Sequence, residues 1–302
     1  MRAMRTIRSA ALIVNAKSRK GRKLFKRARA LSNTLDFPVK AYAVRKPTML
    51  DATVKRALDE DPDLLILGGG DGTISGLVDH LVGHGAALGV LPLGTANSFA
   101  RTLGIPLDLE GAMDVIRQGH YRRIDLGKID GDYFANCAAI GISPMIAETV
   151  PHGLKAWLGR VGYLIWASWQ FFHFKPFTLI IGEGEDAKRL RVVEVRIANG
   201  GHHGGTELVD EASPDSGEIV VQAVTGHVKS HLLWNWFASF FRLEARKETV
   251  ETFTGQKLHI ATKPPLAISI DGEVLAKTPV NATIAAGIIE VAAPAEGDRR
   301  AP

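Results

Sequence analysis

One short stretch, residues 64–73, carries most of the chemical information in this chain. Its first four residues are leucine and isoleucine, and four of its last six are glycine. An apolar run of this length that ends in glycine is typical of a buried parallel strand. A glycine turn that leads into a helix attracts phosphate through free backbone amides and the helix dipole. The stretch therefore predicts a phosphate-binding turn in which Thr73 caps the next helix, although a turn that only caps a helix is the alternative.

A second turn of the same kind follows one strand later. Residues 92–101 read Pro-Leu-Gly-Thr-Ala-Asn-Ser-Phe-Ala-Arg and come after an apolar run over residues 87–91. The side chains of Thr95 and Asn97 can hydrogen bond to phosphate, to ribose or to a neighbouring carboxylate. The alternative is that Thr95 only caps a helix. Two such turns in neighbouring strand–helix units favour a nucleotide site more strongly than either turn does alone.

The chain divides into two regions of different pattern. Residues 1–125 alternate between strand-like and helix-like segments, which predicts a nucleotide-binding α/β domain with a parallel sheet and helices on both faces. Ligands of such sheets bind beyond the carboxyl ends of the strands, where both glycine turns lie. Residues 126–292 contain short β-rich runs, which predict an antiparallel β-sandwich. We expect the tail, residues 293–302, to be disordered.

Composition indicates an ordinary soluble protein. The chain has 302 residues, of which 46% are hydrophobic and 23% charged, enough for two domains with separate cores. Its single cysteine, Cys137, excludes an internal disulfide and fits a reducing compartment. The apolar stretch 10–14 is too short for a signal peptide, and the uncharged stretch 161–174 is shorter than the roughly 20 residues of a membrane-spanning helix. We therefore expect a cytoplasmic protein.

Positive charge is concentrated at the N-terminal end. Residues 1–35 contain eleven lysines and arginines and no acid, so the remainder holds 26 basic and 32 acidic residues, a net charge of −6. Such a field attracts nucleotide phosphates, anionic lipid or nucleic acid. A solvated basic helix face is the alternative interpretation.

Five motifs, in chain order, resemble those of the soluble bacterial lipid kinases related to diacylglycerol kinase, which share a catalytic domain with eukaryotic diacylglycerol, sphingosine and ceramide kinases. The matching stretches are residues 69–73, 92–101, 136–141, 212–217 and 270–273. The resemblance implies a phosphofructokinase-like three-layer N-terminal domain, a C-terminal antiparallel β-sandwich domain, and ATP and Mg²⁺ in the cleft between them. NAD kinases share the first motif but not the second. The P-loop and protein-kinase motifs are absent from the sequence.

The resemblance also implies roles for individual residues. Glu273 is the expected general base, which accepts the proton of a lipid hydroxyl; without the resemblance, the Asp271-Gly272 pair would predict only a hairpin. Asp71 and Asp271 are expected to hold Mg²⁺ or to orient the reacting groups. The residues expected to bind the nucleotide follow three predicted strands: Asn15, Gly69, Gly70, Asp71, Gly72, Thr73, Gly94, Thr95 and Asn97.

Two positions depart from the family pattern. The family usually has Asp where this chain has Ser98, and a second Asp where it has Ser216. A hydroxyl is a weaker ligand for Mg²⁺ than a carboxylate. The neighbouring Asp215 is the expected substitute, so Asp215 and Ser216 form a weak candidate metal pair. Because of these departures, a protein that binds nucleotide or lipid but catalyses the reaction poorly stays an alternative.

All five tryptophans lie in two helix-like segments, residues 154–174 and 229–243. Aromatic residues flanked by basic ones are typical of a membrane interface, although aromatic stripes more often build a core. We therefore expect peripheral contact with an anionic membrane that holds a lipid substrate, and no nucleic acid partner. The sequence does not decide whether the protein forms a homodimer.

Taken together, these features predict an ATP-dependent lipid kinase that converts diacylglycerol to phosphatidic acid. The alternatives are a non-catalytic nucleotide- or lipid-binding protein of the same fold and, with less support, an NAD kinase. Several membrane lipids present a hydroxyl beside apolar chains, and the sequence does not select among them.

Overall fold

The computed structural model describes residues 5–16, 19–141, 145, 174–225, 250–271 and 273–295. All five tryptophans and segment 229–243 lie outside the described residues, so their expected membrane contact stays a prediction. Among the helices that are described, none is long and apolar enough to cross a membrane.

The N-terminal region alternates strands and helices, as predicted. Its elements are β1 (Ala10–Asn15), α1 (Arg19–Ser32), β2 (Val39–Val44), α2 (Leu50–Leu58), β3 (Leu64–Gly69), α3 (Asp71–Val78), β4 (Ala87–Pro92), α4 (Ser98–Thr102) and α5 (Leu109–Gln118). The four strands are parallel and lie in the order β4-β3-β1-β2. Every residue of β3 and β4 is buried, as expected for apolar strands covered on both faces.

The rest of the described chain is β-rich. Its strands are β5 (Tyr121–Ile129), β6 (Asp132–Phe134), β7 (Cys137–Gly141), β8 (Phe177–Ile181), β9 (Lys188–Ala198), β10 (His202–His203), β11 (Thr206–Glu207), β12 (Ile219–Thr225), β13 (Val250–Gly255), β14 (Lys257–Lys263), β15 (Ala267–Ile270), β16 (Glu273–Lys277) and β17 (Val280–Ala292). Antiparallel pairing gives the order β16-β15-β7-β9-β8-β14-β17, with β12 and β13 branching from β9. A second hydrophobic core packs between these strands.

The last strand joins the two regions. Residues 280–283 of β17 pair with β14, residues 282–292 pair with β5 on the other side, and Val291 lies opposite Leu88 of β4. The end of β17 therefore packs in the N-terminal core, although the sequence pattern assigned it to the second domain. Ala293, expected in a disordered tail, is buried, and its amide donates to the His120 carbonyl at 3.1 Å. Residues 296–302 lie outside the described part of the chain.

The basic N-terminal segment forms one exposed helical face. Arg22, Lys23, Lys26 and Arg27 of α1 are exposed, whereas Ala28 is buried against the sheet. The Arg27 guanidinium pairs with a carboxylate of α5 at 2.5 Å. This face is accessible to an anionic surface, and it equally fits a solvated basic helix.

Candidate active site

The carboxyl ends of three parallel strands meet at one edge of the N-terminal sheet. β1 ends at Asn15, β3 at Gly69 and β4 at Pro92, and Gly69 lies opposite Pro92 in the register. All nine residues expected to bind nucleotide lie at these strand ends, in the turns that follow two of them or in the first turn of α3. The fold therefore brings the predicted set together at the edge where α/β sheets bind their ligands.

The two glycine turns lie against each other with bare backbone in contact. A Cβ placed on Gly94 would lie 2.5 Å from the Gly70 Cα, and one placed on Gly70 would lie 3.1 Å from the Gly94 Cα. The Leu93 amide also donates to the Gly69 carbonyl at 2.8 Å. Glycine is needed at both positions because each backbone occupies the space of a side chain on the other.

Helix α3 begins at Asp71, directly after the first turn. Its N-cap is Gly70, and no side chain caps it, so the prediction that Thr73 is the cap is wrong. Thr73 lies inside the first helical turn, where its side chain covers Gly69; a Cβ on Gly69 would lie 2.5 Å from the Thr73 Cβ. The Thr73 amide donates to the Gly70 carbonyl at 2.9 Å. The two earlier amides of the helix, those of Asp71 and Gly72, have no acceptor within the helix and remain available to an anion.

Asp71 connects the two turns through its side chain. Its Oδ1 accepts a hydrogen bond from the Phe99 amide in the first turn of α4, at 3.1 Å. The carboxylate therefore caps a helix other than its own. Within the described part of the chain, Asp71 Oδ2 has no hydrogen-bond partner, which leaves one carboxylate oxygen for a cation.

Asn97 shapes the second turn. Its backbone has φ of 50°, in the left-handed region that asparagine tolerates better than most residues. Its Oδ1 accepts from the Gly94 amide at 2.9 Å, and its Nδ2 donates to the Gly94 carbonyl at 3.1 Å. The Asn97 side chain thus binds its own turn, while Gly94 and Thr95 are exposed. Direct contact between Asn97 and a nucleotide stays a prediction.

This geometry predicts different costs for two substitutions of Asn97. Asn97→Ala should lower the free energy of unfolding by about 2–4 kcal/mol, because the side-chain hydrogen bonds are lost and alanine is strained at positive φ. Asn97→Gly loses the same bonds without that strain, so it should be more stable than Asn97→Ala by about 1 kcal/mol. Urea unfolding of both variants measures the difference. If both variants lost the same free energy of unfolding, the backbone at position 97 would not be strained for alanine, contrary to this prediction.

Ser98 connects the second turn to the C-terminal region. Its Oγ accepts a hydrogen bond from the Gly205 amide at 3.0 Å, in the turn between β10 and β11. A Cβ on Gly205 would lie 3.3 Å from the Ala96 Cα, so this hairpin also approaches bare backbone. Ser98 is only 4% exposed. At the position where the resemblance implies an acid, this chain has a buried hydrogen bond between the two regions.

Asp271 attaches the C-terminal region to α3. It lies in the hairpin between β15 and β16 and has φ of 45°. Its Oδ2 accepts from the Ser75 hydroxyl at 2.6 Å and the Ala135 amide at 3.0 Å, and its Oδ1 accepts from the Cys137 amide at 3.0 Å. Both oxygens hold neighbouring segments, so the contacts make Asp271 a positioning residue. Its expected contact with Mg²⁺ stays a prediction.

Cys137 contributes its amide to this arrangement and not its thiol. The side chain is buried, and burial raises the pKa of the thiol well above its usual range. The thiol is therefore protonated at neutral pH and is no nucleophile.

Glu273 is the first residue of β16 and pairs with Ile270 of β15. Two residues of extended chain span at most about 7 Å, so the Glu273 backbone lies within that distance of Asp271. Asp271 is bonded to Ser75, which lies one helical turn after Asp71. The hairpin thus brings Glu273 to the helix that follows the first glycine turn. Its role as general base stays a prediction.

The candidate metal pair, Asp215 and Ser216, is engaged within the protein. The Asp215 carboxylate pairs with the Arg122 guanidinium and accepts from the Ser213 hydroxyl at 2.6 Å. The Ser216 Oγ lies 3.0 Å from the Ser213 carbonyl and 3.2 Å from the Glu218 carbonyl. No group of three or more potential metal ligands occurs among the residues that the structure describes. These contacts do not fit a bound Mg²⁺ in this loop.

Two buried polar residues that the sequence analysis passed over support the site. Asp125 accepts from the amides of Gly217 and Gly287, both at 2.7 Å. Asn199 is fully buried and donates to the carbonyls of Asp125 at 2.8 Å and Ala135 at 3.0 Å. The sequence did contain a signal for both residues. Asp125 is an acid within an apolar run, and Asn199 is an amide that follows one. A buried polar residue requires hydrogen-bond partners, so either position could have indicated a structural contact.

Two family models match the chain, one for each region. The diacylglycerol kinase catalytic domain matches residues 9–129, and the YegS C-terminal NAD kinase beta sandwich-like domain matches residues 137–293. Curated proteins named diacylglycerol kinase from Staphylococcus aureus strains JH9 and Newman are 30% identical over 287 residues, which cover 86% of this chain and 85% of theirs. The expected α/β domain followed by a β-rich domain is confirmed.

Solved structures agree with this fold. A crystal structure of a diacylglycerol kinase from Bacillus anthracis strain Sterne has a TM-score of 0.78 to this chain. It is 22% identical and covers 96% of this chain and 98% of its own. At that identity the likeness concerns the fold alone.

Proposed function

Because the chain belongs to the diacylglycerol kinase family, we propose that it transfers the γ-phosphoryl group of ATP to the hydroxyl of a membrane lipid, with diacylglycerol as the acceptor and phosphatidic acid as the product. The observation that carries the proposal is the contact between Gly70 and Gly94, which joins two amide-rich turns at one sheet edge. The hairpin that contains Glu273 is bonded to the helix after the first turn.

In this proposal, the two turns bind the triphosphate. The amides of Asp71 and Gly72 at the start of α3 lack acceptors within the helix, whereas the Thr73 amide donates to the Gly70 carbonyl at 2.9 Å. Gly72, Gly94 and Thr95 are exposed. Bare backbone lets phosphate oxygens approach these amides closely. Asp71 fixes the start of α3 to α4, and Asn97 fixes the second turn internally, so that both turns keep their shape. Asn15 ends the neighbouring strand at the same edge.

Asp71 is the proposed residue for holding the Mg²⁺ that accompanies ATP. Its Oδ1 is fixed by the Phe99 amide, and its Oδ2 has no hydrogen-bond partner among the described residues. A carboxylate oxygen is the kind of ligand that Mg²⁺ prefers. When bound, the ion neutralises charge on the phosphate oxygens.

Glu273 is the proposed general base. An alcohol is a poor nucleophile, so a carboxylate in hydrogen-bond reach must accept its proton as the new O–P bond forms. The hydrogen bond from Ser75 fixes the hairpin that carries Glu273 to α3, and the amides of Ala135 and Cys137 fix it to the neighbouring β-strands. The contacts of Asp271 thus support catalysis by holding the base near the phosphate turn.

Ser75→Ala tests this positioning role. The variant loses one hydrogen bond, so the free energy of unfolding should fall by about 1 kcal/mol. Because Ser75 contacts the hairpin and not the turns, kcat for lipid phosphorylation should fall while the Kd for ATP is retained. Ser75→Thr keeps a hydroxyl and should recover most of kcat. An unchanged kcat in Ser75→Ala would show that this bond does not position the base.

The acceptor is proposed to reach the site from an anionic membrane. The exposed basic face of α1 supplies the attraction to the surface, and the tryptophan-rich segments are the proposed apolar contacts. A lipid kinase must contact the bilayer in which its substrate resides. Binding to vesicles with and without phosphatidylglycerol tests this contact, and equal binding to both would contradict it.

The proposed activity is tested by mass spectrometry of a total lipid extract incubated with the protein, ATP and Mg²⁺. We expect phosphatidic acid to increase. A different phosphorylated lipid would support lipid kinase activity and show that the acceptor is not diacylglycerol. ATP binding without any phosphorylated lipid would favour the non-catalytic alternative, in which restoring acids at Ser98 and Ser216 should raise activity. Formation of NADP from added NAD would favour an NAD kinase.

A further inference from the structure

The loop Ser213–Glu218 directs two backbone carbonyl oxygens at one side chain. The Ser216 Oγ lies 3.0 Å from the Ser213 carbonyl and 3.2 Å from the Glu218 carbonyl, and the Glu218 amide donates to it at 3.3 Å. Converging carbonyl oxygens are an arrangement that a hard cation commonly satisfies. Here the single hydroxyl proton of Ser216 can bond one of the two carbonyls, and the Ser216 amide donates to the Ser213 carbonyl at 3.2 Å. The Glu218 amide uses the acceptor capacity of the hydroxyl.

The charge in this loop is also balanced by the protein. The Asp215 carboxylate pairs with the guanidinium of Arg122, whose side chain is 11% exposed. Arginine stays protonated at any physiological pH and presents fixed donors to a carboxylate. The second oxygen of Asp215 accepts from the Ser213 hydroxyl at 2.6 Å. A divalent cation at this carboxylate would have to displace a permanent positive charge.

Further hydrogen bonds attach the loop to the strands behind it. The Asp125 amide donates to the Pro214 carbonyl at 2.6 Å, and the Gly217 amide donates to the Asp125 carboxylate at 2.7 Å. The other carboxylate oxygen binds the Gly287 amide of β17 at 2.7 Å. The loop is therefore fixed to both β5 and β17 by contacts that need no ion.

We propose that the hydroxyl of Ser216 and the guanidinium of Arg122 replace a divalent cation in this loop, so that the loop is ordered without metal. The resemblance to the lipid kinases implies an acid at position 216, where this chain has the hydrogen-bond donor Ser216. The proposal concerns the structure of the loop and does not depend on the proposed kinase activity. Any requirement for Mg²⁺ would then be confined to the nucleotide.

The test compares the full-length protein with Ser216→Asp and Ser216→Ala, without nucleotide, in EDTA and in Mn²⁺. Thermal unfolding should give the wild-type protein the same Tm in both conditions. Ser216→Ala loses the donor, so its Tm should be lower and still indifferent to Mn²⁺. Ser216→Asp presents a carboxylate to two carbonyl oxygens, so its Tm should be low in EDTA and raised by Mn²⁺. Electron paramagnetic resonance should count more bound Mn²⁺ in Ser216→Asp than in wild type.

Two results would overturn the proposal. One is a wild-type Tm that falls in EDTA and is restored by Mn²⁺, with the response lost in Ser216→Ala. The other is an equal response to Mn²⁺ in all three proteins, because an acid would then have created no site. Should Ser216→Asp fail to fold, Arg122→Gln serves instead: it removes the guanidinium from Asp215 and should gain a response to Mn²⁺, and no gain would overturn the proposal. None of these readouts measures turnover, so failure here is distinct from failure of the proposed kinase.

Discussion

Glu273→Gln is expected to lower kcat for lipid phosphorylation by about 10²–10⁴-fold while the protein folds and binds ATP normally. The amide has nearly the same shape as the carboxylate but cannot accept the hydroxyl proton. The side-chain change at the start of β16 leaves the backbone pairing with Ile270 unaffected. The loss should therefore appear in the chemical step, measured as initial rates of label transfer from ATP to diacylglycerol.

Glu251→Gln is the matched control for this prediction. Glu251 is an exposed glutamate on β13, in the same β-rich region, and the same change of charge should leave kcat unaltered. Normal turnover by Glu273→Gln would remove Glu273 from the mechanism. A similar loss in both variants would indicate a general effect of charge.

Gly94→Ala is expected to abolish detectable ATP binding. The new methyl group would lie 2.5 Å from the Gly70 Cα, so the two turns must separate and their amides can no longer face one triphosphate. Because the obstructing atom belongs to the backbone, overpacking should also lower the free energy of unfolding by about 1–3 kcal/mol. Isothermal titration with a non-hydrolysable ATP analogue and urea unfolding measure the two effects.

Gly76→Ala provides the comparison for Gly94→Ala. Gly76 lies in α3, where an added Cβ meets nothing within 4 Å. Alanine within a helix should raise the free energy of unfolding by about 0.5–1 kcal/mol, with ATP binding retained. Unimpaired ATP binding by Gly94→Ala would contradict the proposed use of both turns.

The glycine turns were predictable because a run of glycine marks positions where the backbone has no room for a side chain. Runs of glycine after apolar strands indicated where backbone must remain bare, and alternating segments placed both turns at one edge of a parallel sheet. The contact between Gly70 and Gly94 itself was not predictable, since it depends on the register of β3 with β4.

The functions of individual polar side chains were harder to predict. The polar character of Asn97 indicated a bonding role, but its partner is its own turn because the positive φ brings the side chain back to Gly94. Thr73 had the right chemistry for a cap, yet α3 begins earlier, at Asp71. Local propensity identifies candidates for bonding, whereas the backbone path selects the partner.

Long-range pairing accounts for most of what the sequence left undetermined. The pattern of residues 126–292 predicted strands, but nothing local indicated that β17 would return to β4 and β5. The same pairing creates the contact between Asp125 and Gly287, which fixes the loop that contains Ser216. Such contacts join positions more than a hundred residues apart and follow from tertiary structure.

A crystal structure with a non-hydrolysable ATP analogue and Mg²⁺ tests the central claim most directly. We expect its phosphates within hydrogen-bond distance of backbone amides in both turns, at Gly70–Gly72 and at Gly94–Thr95, with the Glu273 carboxylate facing the γ-phosphate. A triphosphate bound away from either turn, or a Glu273 carboxylate directed away from the γ-phosphate, would contradict this account.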